Sequence, residues 1–175
     1  PAGSLFQISD DELAKQLTIL AHMASYEFTT FKTDKKKKPW AGTFFIASNT
    51  ASASAVEQGN IIGTAINQAR HWADLPANHM TPTVLANEAQ KIATKHGFKI
   101  TILGRKEALE LNMGGFCAVD AGSEQDGKFV VLEYKTATPN APTVALCGKG
   151  VIFDTGGINL KPTSGIGGMK FDMSG

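Results

Sequence analysis

Residues 143–162, with the sequence TVALCGKGVIFDTGGINLKP, join an apolar run typical of a β-strand to a glycine-rich segment. In open α/β sheets, functional side chains gather where loops leave the carboxyl ends of strands. Two lysines and one aspartate, Lys149, Lys161 and Asp154, follow the strand in this position. The stretch therefore predicts an α/β sheet with a functional site at the end of one strand.

The preceding residues alternate between helical and strand patterns. Apolar residues at helical spacing follow Thr83, and Gly97 suits the left-handed residue that ends a helix. Alternating helices and apolar strands predict an α/β fold with a mixed, partly parallel sheet flanked by helices. The predicted strands are residues 98–103, 128–134 and 143–147, with a further helix at 105–112 and flexible glycines at 114–115.

The first 74 residues predict a smaller α/β region. Ser9 and Glu12 form a capping-box pattern at the start of a helix that ends near Ser25. A short strand at 43–47 and a long helix at 56–72 follow. The lysine run at 35–38 has two interpretations, a phosphate contact and a solvated loop, and a short run beside proline favours the loop.

Asp154 and Asp172 have carboxylates suited to divalent cations, and one carboxylate can bridge two metals in a hydrolase. The alternative for Asp154, which precedes Thr-Gly-Gly, is a turn residue that bonds its own backbone. A lysine at such a centre has two possible roles, since a neutral amine can bind metal and an ammonium can stabilise an oxyanion. Lys149 and Lys161 are candidates for these two roles.

These residues lie in two motifs, GKGVIFDTGGINLKP at 148–162 and MKFDMSG at 169–175. Their order and spacing closely resemble the signature of the leucyl aminopeptidase family, also called cytosol aminopeptidases. Residues 73–82, with the sequence ADLPANHMTP, resemble the start of that family's catalytic domain. The two segments together extend the resemblance over roughly residues 57–175.

The resemblance implies a role for each site residue. Asp154 would bridge two metals, Asp172 and the Lys149 amine would bind the more exchangeable one, and Lys161 would contact the substrate carbonyl. Asp172 would thereby also contribute to substrate binding, and Met169 would line the pocket for the first side chain of the substrate. The implied reaction is two-metal hydrolysis that removes a leucine-like amino-terminal residue from a peptide.

The resemblance also implies cofactors, partners and a domain division. It implies two divalent ions, zinc or manganese, a bicarbonate as a candidate base, a cytoplasmic location and a homohexamer. Further ligands would come from a carboxy-terminal segment on the same or another chain, so we expect these 175 residues alone to be inactive. The expected division is a remnant of an amino-terminal α/β domain at 1–55, an interdomain helix at 56–74 and the first half of the catalytic domain at 75–175.

Composition is typical of a soluble globular protein, with 42% hydrophobic residues, 19% charged residues and a net charge of +1. This balance gives no indication of nucleic acid binding, and no apolar run predicts a membrane span. Cys117 and Cys147 lack metal-finger spacing and are predicted to be buried thiols. Lys149 does not follow a complete phosphate-binding loop motif. The alternative function is a noncatalytic fragment or relative that acts in assembly or nucleic acid binding.

Overall fold

The chain divides into two units, Pro1–Asp74 and Leu75–Gly175, in a computed structural model that describes residues 8–33 and 42–174. The predicted loop with the lysine run at 35–38 lies outside the described residues. Each unit has its own buried residues. Those of the first are Ala14, Thr18, Ile19, Ala55, Gly59, Gly63 and Ala73, and those of the second are Met80, Ala86, Ala93, Ala108, Asp120 and Met173. Within the described ranges, every helix is too short or too polar to cross a membrane.

Helix α1, Asp10–Ser25, begins where the capping pattern predicted. The Ser9 hydroxyl oxygen accepts a hydrogen bond from the backbone N–H of Glu12 at 3.2 Å. This bond satisfies one of the N–H groups that a helix leaves unpaired in its first turn. The prediction of a helix that starts after Ser9 and ends near Ser25 is confirmed.

Helix α2, Ala53–Asp74, packs against α1 through two glycines one turn apart. A Cβ atom at Gly59 would lie 2.6 Å from Thr18 Cβ and 2.8 Å from the backbone oxygen of Lys15, and one at Gly63 would lie 2.7 Å from His22 Cβ. These separations are far below van der Waals contact. Glycine at both positions therefore permits the close approach of the two helices.

The predicted strand at 43–47 is not formed. A strand requires a neighbour with which to exchange backbone hydrogen bonds, and no strand occurs among the described residues of the first unit. Phe45 in this segment is 85% exposed. The aromatic and apolar composition was therefore insufficient to define a strand here.

The second unit begins with helix α3, Pro82–His96, whose two ends follow local sequence signals. Thr81 Oγ1 accepts the N–H of Val84 at 3.3 Å, and Gly97 has a φ of +71° and donates its N–H to the carbonyl of Ala93. Glycine adopts this left-handed conformation without the steric cost of a side chain. The predicted helix and its glycine cap are confirmed.

Strands β1, Lys99–Leu103, and β2, Phe129–Glu133, form an antiparallel pair, and α3 packs against both. Lys99 lies opposite Glu133, and their side chains form an ion pair at 2.8 Å. The α/β fold class is confirmed, and these two strands lie where the sequence predicted. The parallel pairing that we expected does not occur among residues 8–33 and 42–174.

Two short helices connect β1 to β2: α4, Arg105–Glu110, and α5, Gly114–Asp120. The buried Asp120 carboxylate accepts the Nε–H of Arg105 at 2.5 Å and the backbone N–H of Gly127 at 2.6 Å. These bonds join the end of α5 to the start of α4 and to the approach to β2. The glycines at 114–115, predicted to be flexible, instead form the first turn of α5.

The predicted strand at 143–147 is wrong, because this apolar run has no backbone partner among the described residues. Leu146 in its centre is 95% exposed. Cys147 is exposed and Cys117 is partly buried, so the prediction of two buried thiols is also wrong. Both thiols were expected to be buried because their neighbours in the sequence are apolar.

Candidate functional site

Four charged side chains from the glycine-rich carboxy-terminal segment lie together in the second unit. Asp154 Oδ2 is 2.9 Å from Lys161 Nζ and 3.7 Å from Lys149 Nζ. The Lys149 Nζ atom is also 3.3 Å from Asp172 Oδ2. The structure therefore brings together the two lysines and two aspartates that the sequence analysis selected.

Asp154 has two contacts that fit both interpretations of its sequence context. Its Oδ1 atom accepts the backbone N–H of Gly156 at 2.9 Å, which is the turn interaction. Its Oδ2 atom faces Lys161 and Lys149. One oxygen thus stabilises the backbone turn, and this fixes the other oxygen toward the two cations.

The loop between Asp154 and Lys161 is closed by a backbone hydrogen bond from the N–H of Lys161 to the carbonyl of Thr155 at 2.9 Å. Gly156 in this loop has a φ of +92°, and a Cβ atom there would lie 2.4 Å from the backbone oxygen of Asn159. A side chain at this position is excluded by both conformation and space. Gly156 therefore allows the loop to return Lys161 to Asp154.

Asp172 and Met169 lie on a 3₁₀ helix, Gly167–Ser174, which follows the short helix α6, Thr163–Ile166. A 3₁₀ helix has three residues per turn, so side chains three positions apart lie on one face. The face that presents Asp172 to Lys149 also presents Met169, whose Sδ atom is 3.1 Å from Lys161 Nζ. Helical periodicity here brings both side chains to the lysines.

Lys161 also donates a hydrogen bond to the backbone carbonyl of Asp154 at 2.9 Å. The Asp154 side chain is 35% exposed, so solvent reaches the cluster. The hydrogen bond from Lys161 lowers the pKa of Asp154, and the Gly156 N–H and the charge of Lys149 add to this effect. Asp154 is consequently held as a carboxylate, the form that binds metal.

The donor set of this cluster fits part of a divalent metal site. Two carboxylates and, once deprotonated, a lysine amine offer donors for zinc or manganese, and Lys149 Nζ lies 3.7 Å from Asp154 Oδ2 and 3.3 Å from Asp172 Oδ2. Two metals need more ligands than these three groups supply. Across residues 8–33 and 42–174, no group of three or more His, Cys, Asp and Glu side chains is placed to hold a metal ion.

Most of the backbone contacts that shape the site could not be predicted from the sequence. The turn contact between Asp154 and the Gly156 N–H was one of the two interpretations of the sequence, but the Asp154 carbonyl that binds Lys161 and the 3₁₀ helix that carries Asp172 were not predicted. The Gly156-Gly157 pair was part of the signal for that turn, because paired glycines after an aspartate indicate positive φ values. The geometry of the loop depends on these backbone groups as much as on the side chains.

Residues 67–175 match the profile of the cytosol aminopeptidase family, catalytic domain. A probable cytosol aminopeptidase of Chlorobaculum parvum is 39% identical over 94% of this chain and 35% of that protein. A probable cytosol aminopeptidase of Cupriavidus necator is 48% identical over 74% of this chain and 26% of that protein. The chain thus spans roughly a quarter to a third of the length of these curated relatives.

Two solved structures are similar to nearly the whole chain. The bottromycin maturation enzyme BotP in complex with Mn has a TM-score of 0.81 at 30% identity and covers 94% of this chain and 34% of its own. The cytosol aminopeptidase of Coxiella burnetii has a TM-score of 0.80 at 27% identity and covers 96% of this chain and 34% of its own. Similarity therefore holds in both sequence and backbone structure.

Proposed function

The chain belongs to the cytosol aminopeptidase family, and from this premise we propose that it forms part of a metal-dependent aminopeptidase that removes the amino-terminal residue of peptides. The observation that carries the proposal is the convergence of Lys149, Asp154, Lys161 and Asp172 in one solvent-accessible cluster. An ordinary surface ion pair needs one cation and one anion. Four such groups, two of which are joined by a loop that requires Gly156, are better explained by a metal and substrate site.

We propose distinct roles for the residues of the cluster. Asp154 would be the ligand shared by two metals, and Asp172 and the Lys149 amine would hold the second metal. Lys161 Nζ donates to the substrate carbonyl oxygen, and Met169 contacts the first side chain of the substrate. The short distances from Asp154 Oδ2 to both lysines and from Lys149 to Asp172 support this division.

Bound divalent cations would supply Lewis-acid activation of the scissile carbonyl and of a water molecule. The residues of this chain position the groups around that chemistry. Asp154 and Asp172 provide negative charge for the cations, and the closed 154–161 loop fixes the Lys161 ammonium beside Asp154. An ammonium fixed at the carbonyl oxygen stabilises negative charge that develops there.

Further donors are required, and we propose that residues outside the described ranges supply them, on the same or another chain. We also propose that residues 75–175 contribute the first half of the catalytic domain, after the 1–55 and 56–74 segments. The Mn complex of BotP supports divalent metal dependence. Zinc or manganese, a bicarbonate base and a homohexamer are proposed on the basis of the family resemblance.

The decisive experiment measures hydrolysis of leucine amide by the purified protein that carries this chain, with manganese or zinc supplied and a chelator as the control. We expect leucine release that chelator abolishes and added metal restores. Manganese binding measured by calorimetry on the same sample separates metal binding from turnover. Metal binding without leucine release would contradict the proposed activity, and absence of both would also remove the assigned ligands.

A further inference from the structure

The Lys161 ammonium has three acceptors within hydrogen-bonding distance. They are Asp154 Oδ2 at 2.9 Å, the Asp154 backbone oxygen at 2.9 Å and Met169 Sδ at 3.1 Å. An ammonium group has three N–H donors and no acceptor. These three contacts therefore account for its full donor capacity.

A substrate carbonyl that binds Lys161 must displace one of these acceptors. The carboxylate contact is charge-assisted and strong, and the backbone carbonyl is a good neutral acceptor. A thioether sulfur is a weak acceptor. Displacement of Met169 Sδ therefore costs the least and leaves both Asp154 contacts intact.

We propose that Met169 is a positioning residue that reserves one N–H of Lys161 for the substrate. Its sulfur holds this donor in the free protein, and the substrate carbonyl oxygen replaces the sulfur on binding. The unbranched methionine side chain has three rotatable bonds and can turn away without backbone movement. This inference rests on the proposed function, because it assigns the substrate carbonyl to Lys161.

The 3₁₀ helix keeps the sulfur within reach of Lys161. Met169 lies one turn before Asp172, and Asp172 contacts Lys149 at 3.3 Å. The helix is therefore connected to the site by Asp172 while Met169 meets the second lysine. Release of the Met169 side chain leaves the contact between Asp172 and Lys149 unchanged.

Two variants of similar size distinguish a hydrogen bond between Met169 and Lys161 from a role in which Met169 only lines the substrate pocket. Met169→Gln supplies a stronger acceptor, and Met169→Leu supplies none. With leucine, alanine and glycine amides as substrates, we expect Met169→Gln to lower kcat/KM about fivefold for all three, since the carbonyl is common to them and must displace a stronger hydrogen bond. The ratio of kcat/KM between Met169→Leu and Met169→Gln should be similar for glycine amide and leucine amide, because the two variants differ in the hydrogen bond that the substrate carbonyl must displace.

Losses in Met169→Gln that grow with the size of the substrate side chain and vanish for glycine amide would overturn the proposal. A second measurement does not depend on activity. In ¹⁵N NMR spectra of the lysine side chains, the Lys161 ammonium should exchange its hydrogens with water faster in Met169→Leu and slower in Met169→Gln. Equal exchange in all three proteins would overturn the proposal, whereas a wild type without chelator-sensitive activity would contradict the proposed function itself.

Discussion

Arg105 forms ion pairs with two aspartates in very different surroundings, and this pair of contacts gives a quantitative prediction. The Asp120 side chain is 4% exposed and lies 2.5 Å from Arg105 Nε, whereas the Asp126 side chain is 57% exposed and lies 3.4 Å from Arg105 Nη1. Replacement of each aspartate by asparagine removes a charge and preserves the size of the side chain. We expect Asp120→Asn to destabilise the fold far more than Asp126→Asn.

The magnitude follows from the acceptors that Asp120 provides. Its two oxygens accept from Arg105 and from the Gly127 N–H. An asparagine amide has one oxygen, so in either orientation its NH₂ group faces one of these donors. Loss of a hydrogen bond to a charged group costs about 1.5–3 kcal/mol. An exposed pair such as Asp126 with Arg105 contributes about 0.2–1 kcal/mol.

Urea unfolding followed by circular dichroism measures both variants. With a denaturant slope of about 2 kcal/mol per molar, Asp120→Asn should lower the midpoint by roughly 1 M, and Asp126→Asn by less than about 0.5 M. Equal midpoint shifts, or a smaller shift for Asp120→Asn, would refute the argument that burial of Asp120 determines the strength of the contact.

The same contact predicts a pH dependence. The hydrogen bond from Arg105 lowers the pKa of Asp120 below its usual value of 3.8, and the Gly127 N–H contributes in the same direction. A lowered pKa in the folded state gives stability that is present above the unfolded pKa and is lost as pH falls through the folded pKa. The difference in unfolding free energy between wild type and Asp120→Asn should therefore be constant above about pH 5 and decrease below about pH 4.

Four further predictions concern the site and the first unit. Asp154→Ala should abolish metal binding at one or both positions, and an unchanged two-metal stoichiometry by elemental analysis would remove Asp154 from the ligand set. Lys161→Ala should lower turnover by roughly a hundredfold or more with metal retained, and near-normal kinetics would contradict its role at the carbonyl. Gly59→Ala should cost about 1–3 kcal/mol in urea unfolding, because the added methyl overlaps α1, and wild-type stability would show that the helices separate freely. Burial and a hydrogen bond to Asp74 raise the pKa of Tyr26 to about 12. The stability from this contact is therefore present below pH 10 and decreases as pH rises through 12. Ultraviolet titration of wild type and Tyr26→Phe should show the late ionisation only in the wild type.

The helix ends that the sequence predicted correctly have local signals. The Ser9 cap and the Gly97 terminus are each complete within four residues, so their sequence determines their geometry. Residues 43–47 and 143–147 have apolar patterns that also predicted strands, but they form none. Strand formation depends on a partner distant in sequence, which a single segment does not specify.

The candidate site also combines features that the sequence predicted with features that required the structure. The spacing of Lys149, Asp154, Lys161 and Asp172 identified the charged groups, and the structure places them within 3.7 Å of a partner. The 3₁₀ periodicity of residues 167–174 was not predicted, because Gly167 and Gly168 give no helical signal. The contact between Met169 and Lys161 depends on that helix and therefore required the structure.

The two glycines of α2 differ in whether a substitution on α1 could make space for a larger residue in their place. The atoms nearest to a Cβ at Gly63 all belong to the side chain of His22, so a His22→Gly exchange on α1 would open space for a larger residue there. At Gly59, the backbone oxygen of Lys15 is among the nearest atoms, and no exchange of side chain on α1 removes it. Position 63 can therefore covary with position 22 among relatives, whereas position 59 can change only if the two helices move apart.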